Sequence, residues 1–153
     1  MAQDELYLDD LAVGQTFESA THAMDADQIV AFARDYDPQP FHIDAAAAED
    51  TYFRGLAASG WHTAAITMRL LVETMPLANG VIGGGGELRW PSATRADDLL
   101  RVTATIDEIV PSRSRPGRGL VVAHCVTLNQ NDEIRQEFRP RLVAWKRGVD
   151  PQV

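Results

Sequence analysis

One cysteine, Cys125, is present in the 153-residue sequence, so no internal disulfide can form. Cys125 lies in an apolar run, residues 121–128, and we expect it to be a small buried hydrophobic side chain. The sequence also lacks a Cys-x-x-Cys pair and any cluster of histidine and cysteine with the spacing of metal ligands. It therefore predicts neither a metal site nor a bound cofactor.

Long apolar segments and an excess of positive charge are also missing. No run approaches the roughly 18 apolar residues that a membrane-spanning helix needs. Acidic residues near the start, Asp4, Glu5, Asp9 and Asp10, predict that this segment is not a signal peptide. A net charge of −8 and a pI near 4.8 argue against nucleic acid or an anionic membrane as partner. We therefore expect a cytoplasmic protein.

Length and composition predict a single folded domain, residues 1–153. A hydrophobic content of 45% and a charged content of 24% are ordinary for a soluble globular protein. A chain of this length can bury a substantial core, and no internal repeat divides it.

The longest predicted helix begins at Gly60. Seven of its apolar residues fall within roughly 120° on a helical projection, which predicts a buried stripe. These residues are Trp61, Ala64, Ala65, Met68, Leu71, Val72 and Met75. An earlier helix, capped by Asp25, must end before the Asp37-Pro38 pair, and Asp44 is expected to cap a short helix, residues 45–50.

The second half of the chain is predicted to be mostly β-structure. Strands are expected at residues 15–22, 99–110, 120–129 and 134–146. Four glycines, residues 83–86, are followed by neither Lys-Ser/Thr nor a helix, so they predict a close-packed strand start and not a phosphate loop. One long helix followed by three long antiparallel strands predicts an α+β fold in which a sheet wraps a central helix.

A nine-residue run, residues 36–44 (Tyr-Asp-Pro-Gln-Pro-Phe-His-Ile-Asp), is too irregular to predict helix or strand. Asp37 and His42 can converge only if the backbone bends between them, and the prolines at 38 and 40 would brace such a bend. A carboxylate and an imidazole on a braced loop can share a water molecule or a substrate proton. The alternative from these residues alone is a polar surface loop in which His42 caps a neighbouring group.

This run, together with residues 58–63 (Ala-Ser-Gly-Trp-His-Thr), resembles the signature of the MaoC-like dehydratase family, which includes the (R)-specific enoyl-CoA hydratases. That signature is Asp-x-Asn-Pro-x-His-x-Asp, ahead of a glycine that opens the central helix. Four residues match it: Asp37, Pro40, His42 and Asp44. Gln39 stands where the family usually has asparagine. The resemblance implies a single hotdog fold and a homodimer or higher homo-oligomer.

The resemblance also implies a reaction, the reversible syn addition of water to a trans-2-enoyl-CoA to give an (R)-3-hydroxyacyl-CoA. Asp37 would be the base, and His42 would position the water and relay its proton. The Gly60 amide, at the start of the central helix, would stabilise charge on the thioester oxygen. Gln39 and Ser59 are expected to contact the acyl-CoA substrate.

Three arginines in the predicted linker of residues 111–119 add positive charge to an acidic protein. Arg113, Arg115 and Arg118 are candidates to bind the phosphates of coenzyme A, and a solvated hairpin turn is the alternative. Some family members have a serine in the central helix where this chain has Met68. His62 is expected on the polar side of that helix, outside the site.

Two other functions remain open from the sequence. A hotdog thioesterase would need a carboxylate on the central helix, and Glu73 is the only one, near the helix end far from Gly60. A non-catalytic acyl-CoA-binding domain is the second alternative. It predicts that changing Asp37 or His42 leaves ligand affinity and biological effect unaltered.

Overall fold

One antiparallel sheet of six strands runs through the computed structural model, which describes residues 4–152. The strands are β1 (Thr16–Glu18), β2 (His22–Ala23), β3 (Ile82–Arg89), β4 (Leu99–Pro111), β5 (Arg118–Leu128) and β6 (Ile134–Trp145). Their order is β1-β4-β5-β6-β3, and β2 also pairs with β4. Strand β3 therefore lies at one edge of the sheet.

The helices of the described residues mostly precede the long strands. They are α1 (Ala26–Tyr36), α2 (Pro40–Ile43), α3 (Ala45–Ala48) and α4 (Gly60–Thr74), with a 3₁₀ helix at Leu8–Asp10. Both predicted N-caps are confirmed, because Asp25 accepts from the Gln28 amide and Asp44 from the amides of Ala46 and Ala47. No helix among residues 4–152 is long and apolar enough to cross a membrane.

Helix α4 lies against the inner face of the sheet, where it contacts β4 and β6. The α+β prediction of an antiparallel sheet around one long helix is therefore confirmed. The three long strands also lie where their period-two patterns place them, to within two residues at each end. Cys125 is buried in the core as expected, and burial raises the pKa of its thiol to about 12.

The predicted first strand, residues 15–22, is wrong in its length. Strands β1 and β2 pair with β4 separately, and Ser19 lies in the break between them. The Val102 amide of β4 donates to the Ser19 hydroxyl, 2.8 Å away, in place of a backbone carbonyl. The Ser19 hydroxyl thus takes the place of a backbone acceptor in the sheet, since serine side chains can compete with backbone groups for such hydrogen bonds.

Four of the seven residues in the predicted buried stripe of α4 are exposed, whereas Leu71 and Met75 are buried as predicted. The face that carries Trp61, Ala65, Met68 and Val72 points to solvent, and Trp61 keeps 61% of its surface exposed. The sheet-facing side instead holds His62, Thr63, Thr67, Leu70 and Leu71. Hydrogen bonds satisfy the two threonine hydroxyls, from Thr63 to Thr94 (2.8 Å) and between Thr67 and Thr127 (2.6 Å). Paired hydroxyls can be buried at little cost, so apolarity alone did not identify the buried face.

The glycine run forms the first half of β3, as predicted. A Cβ atom on Gly86 would lie 2.6 Å from the carbonyl oxygen of Arg139 in β6. The close approach expected for these glycines is therefore an approach of another backbone.

Candidate active site

Asp37 and His42 face each other across a bend at the end of α1. The Asp37 amide donates to the Ala33 carbonyl and ends that helix. Pro40 then opens a single helical turn, α2, where its missing N–H costs nothing. The prediction that this run contains no helix is therefore wrong, and the predicted bend is confirmed: Asp37 Oδ2 lies 3.3 Å from His42 Nε2.

The imidazole of His42 is buried and held from its other side. Its Nδ1 lies 2.6 Å from the carbonyl oxygen of Ala57, and because a carbonyl only accepts, Nδ1 carries a proton. The ring of Phe41 packs edge-on against it, and Phe53 lies 5.8 Å away between ring centroids. His42 therefore presents Nε2 to Asp37 in one fixed orientation.

The carboxylate of Asp37 is charged in this setting. Burial disfavours its ionised form, but hydrogen bonds from Gln39 and Ser59 and the nearby His42 ring outweigh burial and hold the pKa below its ordinary value. The side-chain amide of Gln39 donates from Nε2 to Asp37 Oδ1 across 2.6 Å. Gln39 thus fixes one carboxylate oxygen, and the other is directed at His42.

Gly60 lies at the first position of α4, as predicted, and Ser59 is its N-cap. The Ser59 hydroxyl accepts from the Trp61 amide at 3.3 Å. The Gly60 amide has no hydrogen-bond acceptor within residues 4–152. It is thus an unpaired donor at the positive end of a four-turn helix, where an anion is favoured.

The side chain of Trp90 explains why residue 60 is glycine. A Cβ atom there would lie 2.6–2.9 Å from three atoms of the indole ring. The indole N–H donates to the Gln136 side chain at 2.9 Å, and Gln136 is fully buried. Trp61 packs edge-on against the same ring. Sequence reasoning missed Trp90, because its partner Gln136 is 46 residues away.

A cavity of about 570 Å³ reaches both His42 and Gly60, and Asp37 adjoins it through its contact with His42. Its lining includes His42, Gly60, Phe53, Thr63, Trp90 and Arg95. Sequence reasoning also missed Arg95, which donates to the carbonyls of Phe53, Gly55 and Leu56 and so fixes the loop beside His42. Gly60 is within this cavity, whereas Gln39 and Ser59 reach it only through Asp37 and the start of α4.

The surroundings of His62 differ from those predicted. His62 does not lie on the polar side of α4: it is buried, and its ring stacks on Phe32 at 4.6 Å. That prediction was wrong because α1 covers this side of α4. Among residues 4–152, no group of three or more histidine, cysteine, aspartate or glutamate side chains is placed to hold a metal ion.

The three arginines lie far from this cavity within one chain. Arg113 and Arg115 are in the turn between β4 and β5, and Arg118 begins β5. Thr127, near the other end of β5, touches the middle of α4. Nine residues of strand separate Arg118 from Thr127, roughly 30 Å at about 3.3 Å per residue. The structure therefore brings Asp37, His42 and Gly60 together but leaves the arginines at the opposite end of the sheet.

The comparisons with known proteins agree on one family. The family model described as a MaoC like domain matches residues 10–122. The crystal structure of a MaoC-like dehydratase from Rhodospirillum rubrum is 53% identical and has a TM-score of 0.92, covering 94% of this chain and 99% of that one.

More distant proteins also match this chain. R-hydratase PhaJ1 from Pseudomonas aeruginosa is 24% identical with a TM-score of 0.75, covering 93% of this chain and 87% of that one. The uncharacterized protein YdeM of Bacillus subtilis is 28% identical over 127 residues, 82% of this chain and 89% of YdeM. The fold is thus the hotdog fold of the MaoC-like structures.

Proposed function

Since this chain belongs to the MaoC-like domain family, we propose that it is a hydro-lyase acting on acyl-CoA thioesters. It adds water reversibly, and syn, to a trans-2-enoyl-CoA and gives an (R)-3-hydroxyacyl-CoA. One observation carries the proposal: Asp37 and His42 lie 3.3 Å apart beside a cavity that is also lined by Gly60, whose amide is unpaired within residues 4–152. A base, a second proton carrier and an anion donor are the groups that hydration needs.

The reacting water lies between Asp37 and His42 in this mechanism. When His42 is neutral, Nε2 and Asp37 Oδ2 are two acceptors facing each other, and a water molecule that donates to both relieves that conflict. Asp37 takes one proton of the water as its oxygen bonds to the β-carbon. The Asp37–His42 pair then returns a proton to the α-carbon.

Negative charge collects on the thioester oxygen when the water oxygen attacks. The Gly60 N–H donates to that oxygen, and the N-terminus of α4 adds a favourable dipole. Trp90 packs against Gly60, so residue 60 itself carries no side chain beside this amide. Ser59 and Gln39 hold Asp37 charged and oriented beside the acyl group.

The test is to incubate the protein with crotonyl-CoA and follow the enoyl absorbance, with free thiol measured in parallel. Loss of absorbance without thiol release is the expected result. Thiol release would instead establish a thioesterase. No change in either signal, with several enoyl chain lengths, would contradict the proposed reaction.

The thioesterase alternative has less support from the structure. Glu73, the only carboxylate of α4, pairs with Arg69 at 3.1 Å on the exposed side of the helix. It lies thirteen residues beyond Gly60, roughly 20 Å at about 1.5 Å per residue. A carboxylate so placed cannot attack a thioester held at the Gly60 amide.

The proposed assembly is a homodimer joined through β3. No strand among residues 4–152 pairs with the outer edge of β3, and eight residues of bare backbone edge are a template for another strand. The exposed apolar face of α4 begins at Trp61, which touches Trp90 at the end of β3. The edge and this face therefore form one continuous surface.

A cytoplasmic location for the protein is also part of the proposed function.

The charges along this edge complement those of a second copy. Two-fold pairing of identical strands in one sheet is antiparallel, so pairing about the centre of β3 sets Glu87 of one copy opposite Gly84 of the other. The Arg141 guanidinium lies beside Gly85, the residue after Gly84, and its Nη2 is 3.0 Å from where a Cβ atom of Gly85 would be. Neither Glu87 nor Arg141 has an ion-pair partner within residues 4–152. Glu87 of each copy can thus form an ion pair with Arg141 of the other.

A further inference from the structure

Arg95 brings a positive charge to the cavity beside His42 and Gly60. Its side chain is partly exposed and lines that cavity. Within residues 4–152 it forms no ion pair, and no aspartate or glutamate of that range lines the cavity. A charge that is partly removed from water is costly unless an opposite charge lies beside it. An anion in the cavity would therefore be stabilised by Arg95.

Three hydrogen bonds hold the Arg95 guanidinium in place. Nη1 donates to the carbonyl oxygens of Gly55 and Leu56, both at 3.2 Å, and Nη2 donates to that of Phe53 at 2.7 Å. A guanidinium has five N–H donors, so the Nε–H and one N–H of Nη2 have no acceptor within residues 4–152. Nε and Nη2 are neighbouring nitrogens of one rigid plane. Neighbouring N–H groups of this kind bind a carboxylate through two parallel hydrogen bonds.

Two more unpaired donors belong to residues of the cavity wall. The Thr63 hydroxyl donates to the Thr94 hydroxyl at 2.8 Å, and both residues are buried. Two hydroxyls have two protons and this bond uses one, so the Thr94 O–H has no acceptor within residues 4–152. The Gly60 amide is unpaired in the same range. The cavity thus offers hydrogen-bond donors and a positive charge to the molecule that fills it.

Asp37, the carboxylate that adjoins the cavity, does not neutralise Arg95. Asp37 lies at the Nε2 edge of the His42 ring, 3.3 Å away. Arg95 binds the carbonyl of Leu56, and the next residue, Ala57, accepts from the Nδ1 edge of the same ring. The imidazole therefore lies between the two charges. The Arg95 charge remains available to an anion other than Asp37.

We infer that the acyl group of the substrate ends in a carboxylate and that Arg95 binds it. This inference rests on the proposed hydratase function, and it makes the substrate a trans-2-enedioyl thioester with one free carboxylate. The Gly60 amide holds the thioester oxygen, and the Nε–H and Nη2–H of Arg95 hold the far carboxylate. An acyl group fixed at both ends keeps its double bond beside Asp37 and His42.

The first experiment needs only the wild-type protein. It compares trans-glutaconyl-CoA, which is crotonyl-CoA with a carboxylate on its terminal carbon, with the corresponding terminal amide, which has the same shape and no charge. We expect kcat/KM to be about 10–100-fold higher for the carboxylate, because the amide cannot accept both charge-assisted hydrogen bonds. Fumaryl-CoA and trans-2-hexenedioyl-CoA, each with its amide, vary the position of the carboxylate. No preference for the carboxylate at any of the three lengths would overturn the inference.

The second experiment assigns the preference to Arg95. Arg95→Gln should lower the ratio of kcat/KM for glutaconyl-CoA to that for crotonyl-CoA about 10–100-fold, and Arg95→Lys, which keeps the charge, should lower it less. A merely structural role, through the loop beside His42, would reduce both activities alike and leave the ratio unchanged. The matched control is Arg54→Gln, which removes an exposed arginine of the same loop and should keep the wild-type ratio. An unchanged ratio in Arg95→Gln would overturn the role of Arg95.

The two proposals fail in different ways. If the wild-type protein hydrates no enoyl-CoA, with or without a terminal carboxylate, the hydratase function is refuted. If it hydrates crotonyl-CoA, and a terminal carboxylate brings no advantage over the amide, only the carboxylate specificity is refuted.

Discussion

The Nδ1–H of His42 donates to the carbonyl oxygen of Ala57 across 2.6 Å, and this bond leaves Nε2 to face Asp37. A histidine so tethered cannot rotate or exchange tautomers without losing a buried hydrogen bond. The ring therefore offers the same nitrogen to a water molecule in every turnover. A preorganised pair of this kind is what proton transfer requires.

Replacing Asp37 by asparagine removes the charge and keeps the shape of the side chain. We expect turnover of crotonyl-CoA to fall about 10²–10⁴-fold, because the base is lost. The matched control is Asp35→Asn, which changes an exposed carboxylate two residues earlier, in the last turn of α1, and should keep full activity. Steady-state kinetics measures the turnover of both variants, and circular dichroism shows whether both are folded. Full activity of Asp37→Asn would remove this residue from the mechanism.

Replacing Gly60 by alanine forces a methyl group into the Trp90 ring. We expect the free energy of unfolding to fall by about 1–3 kcal/mol, the usual cost of overpacking. In the Trp90→Ala background, Gly60→Ala should cost less than it does in the wild type, because the clash with the indole ring is absent. Urea denaturation of the four proteins measures the coupling. Strictly additive effects would show that Trp90 is not what limits residue 60.

The buried ion pair between Asp98 and Arg135 should be costly to break. Arg135 donates from Nε and Nη2 to the two carboxylate oxygens at 2.8 and 3.0 Å. Asp98→Asn leaves the Arg135 charge buried with only the exposed Glu133 beside it, so we expect a loss of about 3–5 kcal/mol in urea denaturation. Glu137→Gln, which breaks the more exposed Arg89–Glu137 pair, is the control and should cost less than about 1 kcal/mol.

The same aspartate gives stability that depends on pH. Burial disfavours its charge, but hydrogen bonds from Arg135, the Arg95 amide and Asn129 outweigh burial and lower the pKa of Asp98 below 3.8. Stability from this group is therefore fully present above 3.8 and is lost as the pH falls through the lower folded-state value. Acid unfolding of Asp98→Asn should show a shallower dependence on pH in that range than the wild type.

His62 should have a pH effect in a higher range. Burial, with the nearby His22, lowers the pKa of His62 below 6.5, so the unfolded chain binds its proton more readily than the folded one. The wild type should lose stability as the pH falls below 6.5. His62→Phe keeps the stacking on Phe32 and removes the titrating group, so its stability should fall less between pH 8 and pH 5.5. Equal slopes for the two proteins in urea denaturation would contradict this.

Local patterns in the sequence determined much of the fold. Period-two alternation placed the long strands, and Asp25 and Asp44 marked helix starts because capping involves residues only two or three apart. The signature residues Asp37, His42 and Gly60 identified the candidate site, because prolines between the first two restrict the chain to a bend. In each case the deciding interaction joins residues close together in the chain, so the local sequence is enough to predict it.

Tertiary structure decided what depends on distant partners. Thr67 is buried and Trp61 is exposed because Thr127, 60 residues from Thr67, supplies a hydrogen-bond partner at the sheet. Gln136 fixes Trp90 over Gly60, and Ala57 fixes the tautomer of His42. The separation of Arg113, Arg115 and Arg118 from the candidate site likewise follows from the order and register of whole strands. A buried polar group is stable only where a partner meets it, and only the folded chain specifies where that is.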